Sequence, residues 1–170
     1  TDASQEQTDV ESFAVLEPKA DGFRNFIANG QERSSGELLI DRAHMLNLSA
    51  PEMTALVGGM RVLNANVLNN SIGVFTSKQE TLTNDFFLNL IDMDIEWKKS
   101  SKSDYLFEVC DRSSCSIKCT ASAFFLTFFS NSLLRAISDF YASIFFKDHF
   151  LSYFVSAFAT VMNNDRFSFN

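Results

Sequence analysis

Three cysteines in the second half of the chain are the residues whose spacing comes closest to a metal site. Cys110, Cys115 and Cys119 fall within one short stretch. Thiolates bind zinc and iron–sulfur clusters, but those sites need C-x-x-C pairs or a nearby histidine, and this stretch has neither. We therefore predict no metal site. Cys110 and Cys115 flank a predicted turn and could form a disulfide, although a reducing compartment favours the free thiols that we predict.

Two further patterns could support chemistry at other positions. Asp92 and Asp94 bracket one residue, and paired carboxylates can perform acid–base catalysis. The chain carries 21 acidic and 14 basic residues, for a net charge of −7, so we interpret this pair as part of a solvated surface. The Gly58-Gly59 pair lacks the lysine and the preceding strand of a phosphate-binding loop. We interpret these glycines as close helix packing, and we predict no catalytic residue in the chain.

Helical signals dominate the elements that must position these residues. Ser49-Ala-Pro-Glu52 has the serine, proline and glutamate of a capping box and predicts the start of a helix. Apolar residues then recur on one face of this helix, at Met53, Leu56, Val57 and Met60. The last helix of the chain should pack one side on the core, with Phe150, Tyr153, Phe154, Ala157, Phe158, Val161 and Met162.

The remaining pattern predicts an all-α fold with one small β-hairpin. Further helices are expected to end before Pro18 and to span residues 36–46, 85–92 and 132–141. Residues 95–120 alternate between apolar and polar side chains, among them Trp97, Tyr105 and Phe107, which predicts the hairpin.

Size and charge limit the classes of function. With 170 residues and 46% hydrophobic composition, the chain is expected to form one domain, residues 1–170. Its negative charge disfavours nucleic acid and anionic membranes as partners. The longest uncharged stretches, 119–134 and 150–164, are shorter than the roughly 18 residues of a membrane span, so we interpret them as buried core helices. Residues 1–9 lack a secretory signal pattern, so we expect a cytoplasmic protein.

Several runs of the chain resemble the last part of the catalase-peroxidases. The long runs are Gln7-Thr-Asp9, Leu16-Glu-Pro18, Ala20-Asp-Gly-Phe-Arg-Asn25 and Ala50-Pro-Glu-Met-Thr-Ala-Leu-Val-Gly-Gly-Met-Arg-Val-Leu63. Shorter runs follow in order at Asn84-Asp-Phe-Phe87, Glu96-Trp97, Leu134-Arg-Ala136, Tyr141-Ala-Ser143, Val161-Met-Asn163 and Asp165-Arg-Phe167. The resemblance implies the second half of that family's C-terminal domain, a duplicated haem-peroxidase-like helical fold without haem.

The resemblance also implies which two positions of this chain correspond to the iron ligand and its aspartate partner in haem-bearing peroxidase domains. Those domains carry Gly-Gly-His, whose imidazole ligates iron, whereas this chain has Gly58-Gly59-Met60. The aspartate that orients the imidazole would fall near Phe125. A thioether can bind haem iron, but a carboxylate cannot orient it or make it more basic, as it does an imidazole. The resemblance thus implies haem b in the N-terminal domain of the intact enzyme and none in this segment.

The segment departs from the family pattern in its later part. After Val109 the chain has no further glutamate, and twelve of its nineteen phenylalanines lie there. Phe129, for example, occupies a position where a glycine is usual in the family.

Three functional hypotheses follow. The first is a non-catalytic, structural part of a homodimeric catalase-peroxidase, an oxidoreductase that dismutates hydrogen peroxide and oxidises small donors. Its partners would be the N-terminal haem domain and the first half of the C-terminal domain. The second is a free-standing helical interaction module without enzymatic activity, with the aromatic surplus as its binding surface. The third is half of an active peroxidase with Met60 as an unusual axial ligand, which added haem would reveal by a Soret shift.

Overall fold

A computed structural model describes residues 35–65, 71–101 and 106–164, which form helices and one small sheet. The helix predicted before Pro18 and Tyr105 of the predicted hairpin lie outside these residues. The α-helices are α1 (Ser35–Met45), α2 (Ala50–Val62), α3 (Asp85–Leu90), α4 (Ala123–Ser130), α5 (Ser132–Ala142) and α6 (Lys147–Asn163). The strands are β1 (Ile95–Lys99), β2 (Leu106–Asp111) and β3 (Ile117–Ser122), and a 3₁₀ turn (Ile144–Phe146) precedes α6.

The helix predictions for residues 36–46, 85–92 and 132–141 are confirmed to within two residues at each end. The all-α class with a hairpin is incomplete, because the predicted hairpin region holds a three-stranded antiparallel sheet in the order β1-β2-β3. Helix α4 lies in the uncharged stretch 119–134 and is mostly buried, as expected for a core helix, but its bounds were not predicted, since its sequence is apolar on nearly every side and shows no clear helical period. In the described part of the chain, no helix combines the length and the apolar character that a bilayer crossing requires.

Local hydrogen bonds explain where α2 and α5 begin. Glu52 accepts a bond from the backbone N–H of Ser49 at 2.9 Å, and the Ser49 hydroxyl accepts one from the Glu52 N–H at 3.4 Å, which confirms the capping box. Asn131 Oδ1 accepts bonds from the N–H groups of Leu133 and Leu134, both at 3.1 Å. Each cap satisfies backbone donors that the first helical turn leaves without a partner.

A hydrogen-bonded turn and two ion pairs stabilise the sheet. The Asp111 carboxylate accepts backbone bonds from Ser113 at 3.0 Å and Ser114 at 2.8 Å in the β2–β3 turn. The hydrogen bond from the Ser113 hydroxyl, followed by those from the Ser114 backbone and hydroxyl, lowers the pKa of Asp111. Lys118 on β3 lies 3.5 Å from Asp111 and 3.6 Å from Asp92, so it joins the sheet to the segment after α3.

Aromatic rings from the helices pack against one another in the core. Phe86 and Phe87 of α3 are fully buried, with ring centroids 5.1 Å apart in an edge-to-face arrangement. Phe87 also meets Phe150 of α6 at 5.4 Å, and Phe86 meets Phe128 of α4 at 6.1 Å. The phenylalanine-rich second half of the chain therefore contributes side chains to the interior.

The packed face predicted for the last helix is only partly correct. Phe150, Phe154 and Ala157 of α6 are buried, and Val161 is partly buried against the core. Three other residues assigned to that face are exposed, namely Tyr153, Phe158 and Met162. The apolar surface of α6 is wider than the strip that the described residues cover.

Candidate functional site

The Gly58-Gly59 pair lies in the buried middle of α2 and receives aromatic rings from two other helices. A Cβ at Gly58 would lie 2.5 Å from the Phe87 ring of α3, and a Cβ at Gly59 would overlap the Phe154 ring of α6. Glycine costs about 1 kcal/mol relative to alanine inside a helix, so a pair of glycines needs a compensating contact. These ring contacts confirm close packing as the reason for the pair.

Met60, which follows the glycines, is partly buried and packs against the hydrophobic core. Its neighbour Arg61 donates a hydrogen bond from Nη2 to the carbonyl of Ala65 at 3.2 Å. Burial lowers the pKa of Arg61. The guanidinium lies in the last turn of α2, where the helix dipole favours a positive charge. The end of α2 thus presents a thioether toward the core and a cation beside it.

Phe125 lies on α4 and is 4% exposed. Its ring meets those of Phe75 and Phe86 at centroid distances of 5.9 Å, and that of Phe124 at 5.2 Å. The same ring covers Gly73, whose φ of +76° and lack of a side chain allow this close approach. Phe125 is therefore a core residue and offers no group that could accept a hydrogen bond from an imidazole.

The two histidines of the chain lie on α1 and α6 and not on α2. His44 is an exposed residue of α1. His149 lies at the start of α6, with its ring 6.0 Å from that of Phe140 and 5.7 Å from that of Phe146. Neither is an alternative to Met60 as a ligand on that helix.

The three cysteines are free thiols, as predicted. Burial raises the pKa of Cys119 to about 12, so its thiol stays protonated at neutral pH. Cys115 is exposed in the β2–β3 turn with a φ of 54°. Within residues 35–65, 71–101 and 106–164, no three histidine, cysteine or acidic side chains converge as a metal site would require.

The carboxylate of Asp92 has a structural role. Asp92 Oδ1 accepts a bond from the Asp94 N–H at 3.0 Å, and Asp92 Oδ2 pairs with Lys118. Asp94 is exposed. The interpretation of this pair as part of the surface is confirmed.

Sequence reasoning missed the polar contacts that join α2, α5 and α6. Buried Asn84 donates from Nδ2 to the Tyr141 carbonyl at 3.0 Å, and the Tyr141 hydroxyl donates to the Pro51 carbonyl at 3.0 Å. Burial raises the pKa of Tyr141. Ser156 of α6 donates to Glu52 at 3.2 Å. The bonded residues are far apart along the chain, so no local sequence pattern predicts these hydrogen bonds.

A cavity of about 300 Å³ lies between the sheet and the segment that leads into α3. Its lining includes Phe75, Asn89, Val109 and Lys118, but neither Met60 nor Phe125. This cavity is therefore not lined by either of the two residues that the resemblance singles out.

Comparisons with known proteins agree with the sequence motifs. The chain is 57% identical over 167 residues to the catalase-peroxidase of Rhodococcus jostii (strain RHA1), and 55% identical over 167 residues to that of Mycobacterium marinum. The catalase-peroxidase of Hahella chejuensis is 56% identical over 166 residues. Each match covers 98% of this chain, which spans only 22–23% of the relatives' length. No family model matches the chain. Over nearly all of its length, this chain is homologous to a segment of the catalase-peroxidases.

Proposed function

We propose that this chain is the non-catalytic closing portion of the C-terminal, haem-free domain of a catalase-peroxidase. The intact enzyme would dismutate hydrogen peroxide and oxidise small donors at haem b in its N-terminal domain. The segment would support that domain together with the first half of its own domain, in a cytoplasmic homodimer. The similarity to proteins named catalase-peroxidases supports the activity assigned to the whole enzyme.

The main support for a non-catalytic role is the arrangement of residues around Gly58-Gly59-Met60. A peroxidase haem of this class needs an imidazole held by a carboxylate, so that the ligand can donate charge to iron. Residue 60 supplies a thioether, and residue 125, at the position that the resemblance assigns to the carboxylate, supplies a buried phenyl ring. These residues do not fit a peroxidase haem on α2.

The helix retains a framework role instead. Aromatic rings from α3 and α6 pack directly against Gly58 and Gly59. The hydroxyls of Tyr141 and Ser156 donate hydrogen bonds to the first turn of α2. Such cross-helix contacts hold the helices in one arrangement. A rigid scaffold of this kind can maintain the geometry of an active site in a neighbouring domain.

Deletion of the segment from the full-length enzyme tests the supporting role. The remaining polypeptide should keep its haem and lose kcat, and co-expression of the segment as a separate chain should restore part of the activity. Unchanged activity after the deletion would contradict the proposal.

Substitution at residue 60 tests the absence of an iron ligand. Met60→Leu in the full-length enzyme should leave the haem content, the Soret band and both activities unchanged, because the change roughly conserves side-chain volume. Met53→Leu, a fully buried position on the same helix, is the matched control for packing. A Soret change in Met60→Leu alone would show that the thioether binds iron.

A further inference from the structure

Strand β1 is an edge of the sheet, because the order β1-β2-β3 gives it a single neighbouring strand. In an antiparallel pair, every second residue directs its backbone groups at the neighbour. The Arg112 N–H donates to the Asp94 carbonyl at 2.8 Å, and the Ser100 N–H donates to the Leu106 carbonyl at 2.9 Å, so the even-numbered residues of β1 face β2. The backbone groups that face away from β2 belong to Ile95, Trp97 and Lys99.

These outward groups form an open edge. In the described part of the chain, no backbone hydrogen bond from another segment reaches them. An edge of this kind can pair with a further strand, and charged side chains normally limit which strand can do so. Glu96 and Lys98 are the charged residues on the solvent face of β1, where both are exposed and lie 3.2 Å from each other.

The order of these two charges selects the partner strand. Two copies of β1 that pair antiparallel about Trp97 place Glu96 of each copy directly opposite Lys98 of the other. The outward backbone groups also meet in this register, because Trp97 lies opposite its own counterpart. A shift of two residues in either direction would place Glu96 opposite Glu96 or Lys98 opposite Lys98, and like charges directly opposite each other are destabilising. The charges therefore favour the register centred on Trp97.

We infer that β1 of one copy of this protein pairs antiparallel with β1 of a second copy, about a two-fold axis at Trp97. The sheets of the two copies would then form one continuous sheet with the β1–β1 pair at its centre. Such a contact uses the same surface on both copies, as two-fold symmetric dimers do. The proposed function names no surface through which two copies meet, so this contact goes beyond it.

Cysteine crosslinking in the full-length protein tests this contact. Trp97→Cys places a thiol at the two-fold axis, where the Cα atoms of a hydrogen-bonded pair lie about 5.5 Å apart, within the range of a disulfide. Lys99→Cys is the matched control on the same strand, because four residues, or about 13 Å, separate it from its counterpart. Both variants carry Cys115→Ser, which removes the exposed native thiol. Mild oxidation with diamide, followed by a non-reducing gel, measures the yield of covalent dimer.

Charge reversal in the Trp97→Cys background identifies the register. Glu96→Lys alone and Lys98→Glu alone each place like charges opposite each other, so each should lower the yield several-fold. Co-expression of the two reversed chains brings opposite charges together again and should restore the yield. Both reversed chains stay acidic, since each reversal changes the net charge of −7 by only two, so overall attraction cannot explain a restored yield.

The yield at Trp97→Cys should exceed that at Lys99→Cys several-fold. If Trp97→Cys prevents folding, chains with Glu96→Cys and Lys98→Cys, co-expressed, replace it as the probe pair on the exposed face. Equal yields at the probe and control positions, no covalent dimer with either probe, or no restoration by co-expression would overturn the inference. The measurement reads contact and not activity, so its failure differs from a failure of the supporting role, which the deletion tests.

Discussion

The contact between the Phe154 ring and Gly59 predicts the effect of Gly59→Ala, in which a gain in helix propensity opposes a steric clash. Gly59→Ala would stabilise the helix by about 1 kcal/mol if propensity alone mattered. The added methyl would overlap the Phe154 ring, and overpacking of a core costs about 1–3 kcal/mol. Phe154 is 6% exposed and lies against the rings of Phe150 and Phe158, so it cannot easily move aside. Because the ring cannot easily yield, we expect the overpacking cost to prevail, with a net loss of up to about 2 kcal/mol in the free energy of unfolding.

Urea unfolding of the 170-residue chain measures this loss. Trp97 is the single tryptophan and packs on Phe75 at 5.8 Å, so its fluorescence reports the core. The matched background is Phe154→Leu, in which the ring is absent. There Gly59→Ala should be neutral or stabilising by up to about 1 kcal/mol. An equal loss in both backgrounds would refute the reasoning, because the obstacle would not be the ring.

Three further predictions concern hydrogen bonds and thiols. Tyr141→Phe removes the bond to the first turn of α2 and should cost about 1 kcal/mol of stability in urea unfolding. The capping bonds lower the pKa of Glu52 from its ordinary value of 4.5, so the carboxylate stabilises the fold above that pH and loses the effect as the pH falls through the lower folded-state pKa. The stability advantage of the wild type over Glu52→Gln should therefore vanish in acid, and an advantage that persisted there would contradict the assignment. Maleimide at neutral pH should modify exposed Cys115 before Cys119, whose thiol remains protonated; peptide mapping in the reverse order would disprove the burial of Cys119.

The predictable parts of the fold depended on local patterns. The capping box at Ser49 and Glu52 involves residues three apart, so the sequence alone located the start of α2. Helix α4 lacks a polar side, so its uncharged sequence indicated a buried helix but no period located where the helix begins and ends. The hairpin turn predicted between Cys110 and Cys115 joins β2 and β3, and their pairing is confirmed. The strand that was not predicted is β1, because alternation alone does not show that the chain reverses direction between β1 and β2.

The candidate site was likewise predictable only where it depends on local sequence. The sequence alone shows that residue 60 is a methionine preceded by two glycines. The comparisons confirm the family resemblance to which this motif contributes. The rings that fill the two glycine faces come from α3 and α6, and nothing near the glycines in the sequence specifies them.

The sequence by itself determined where the long helices lie, that the chain resembles catalase-peroxidases, and that residue 60 offers sulfur in place of an imidazole. Those features depend on residue types and on hydrogen bonds between near neighbours. Only the tertiary structure decided which apolar residues of α6 face the core, as Phe150 and Phe154 do, and which stay exposed, as Val155 and Met162 do. Burial is a property of the surfaces that meet, and both sets of residues are apolar, so only packing against the neighbouring helices distinguishes them.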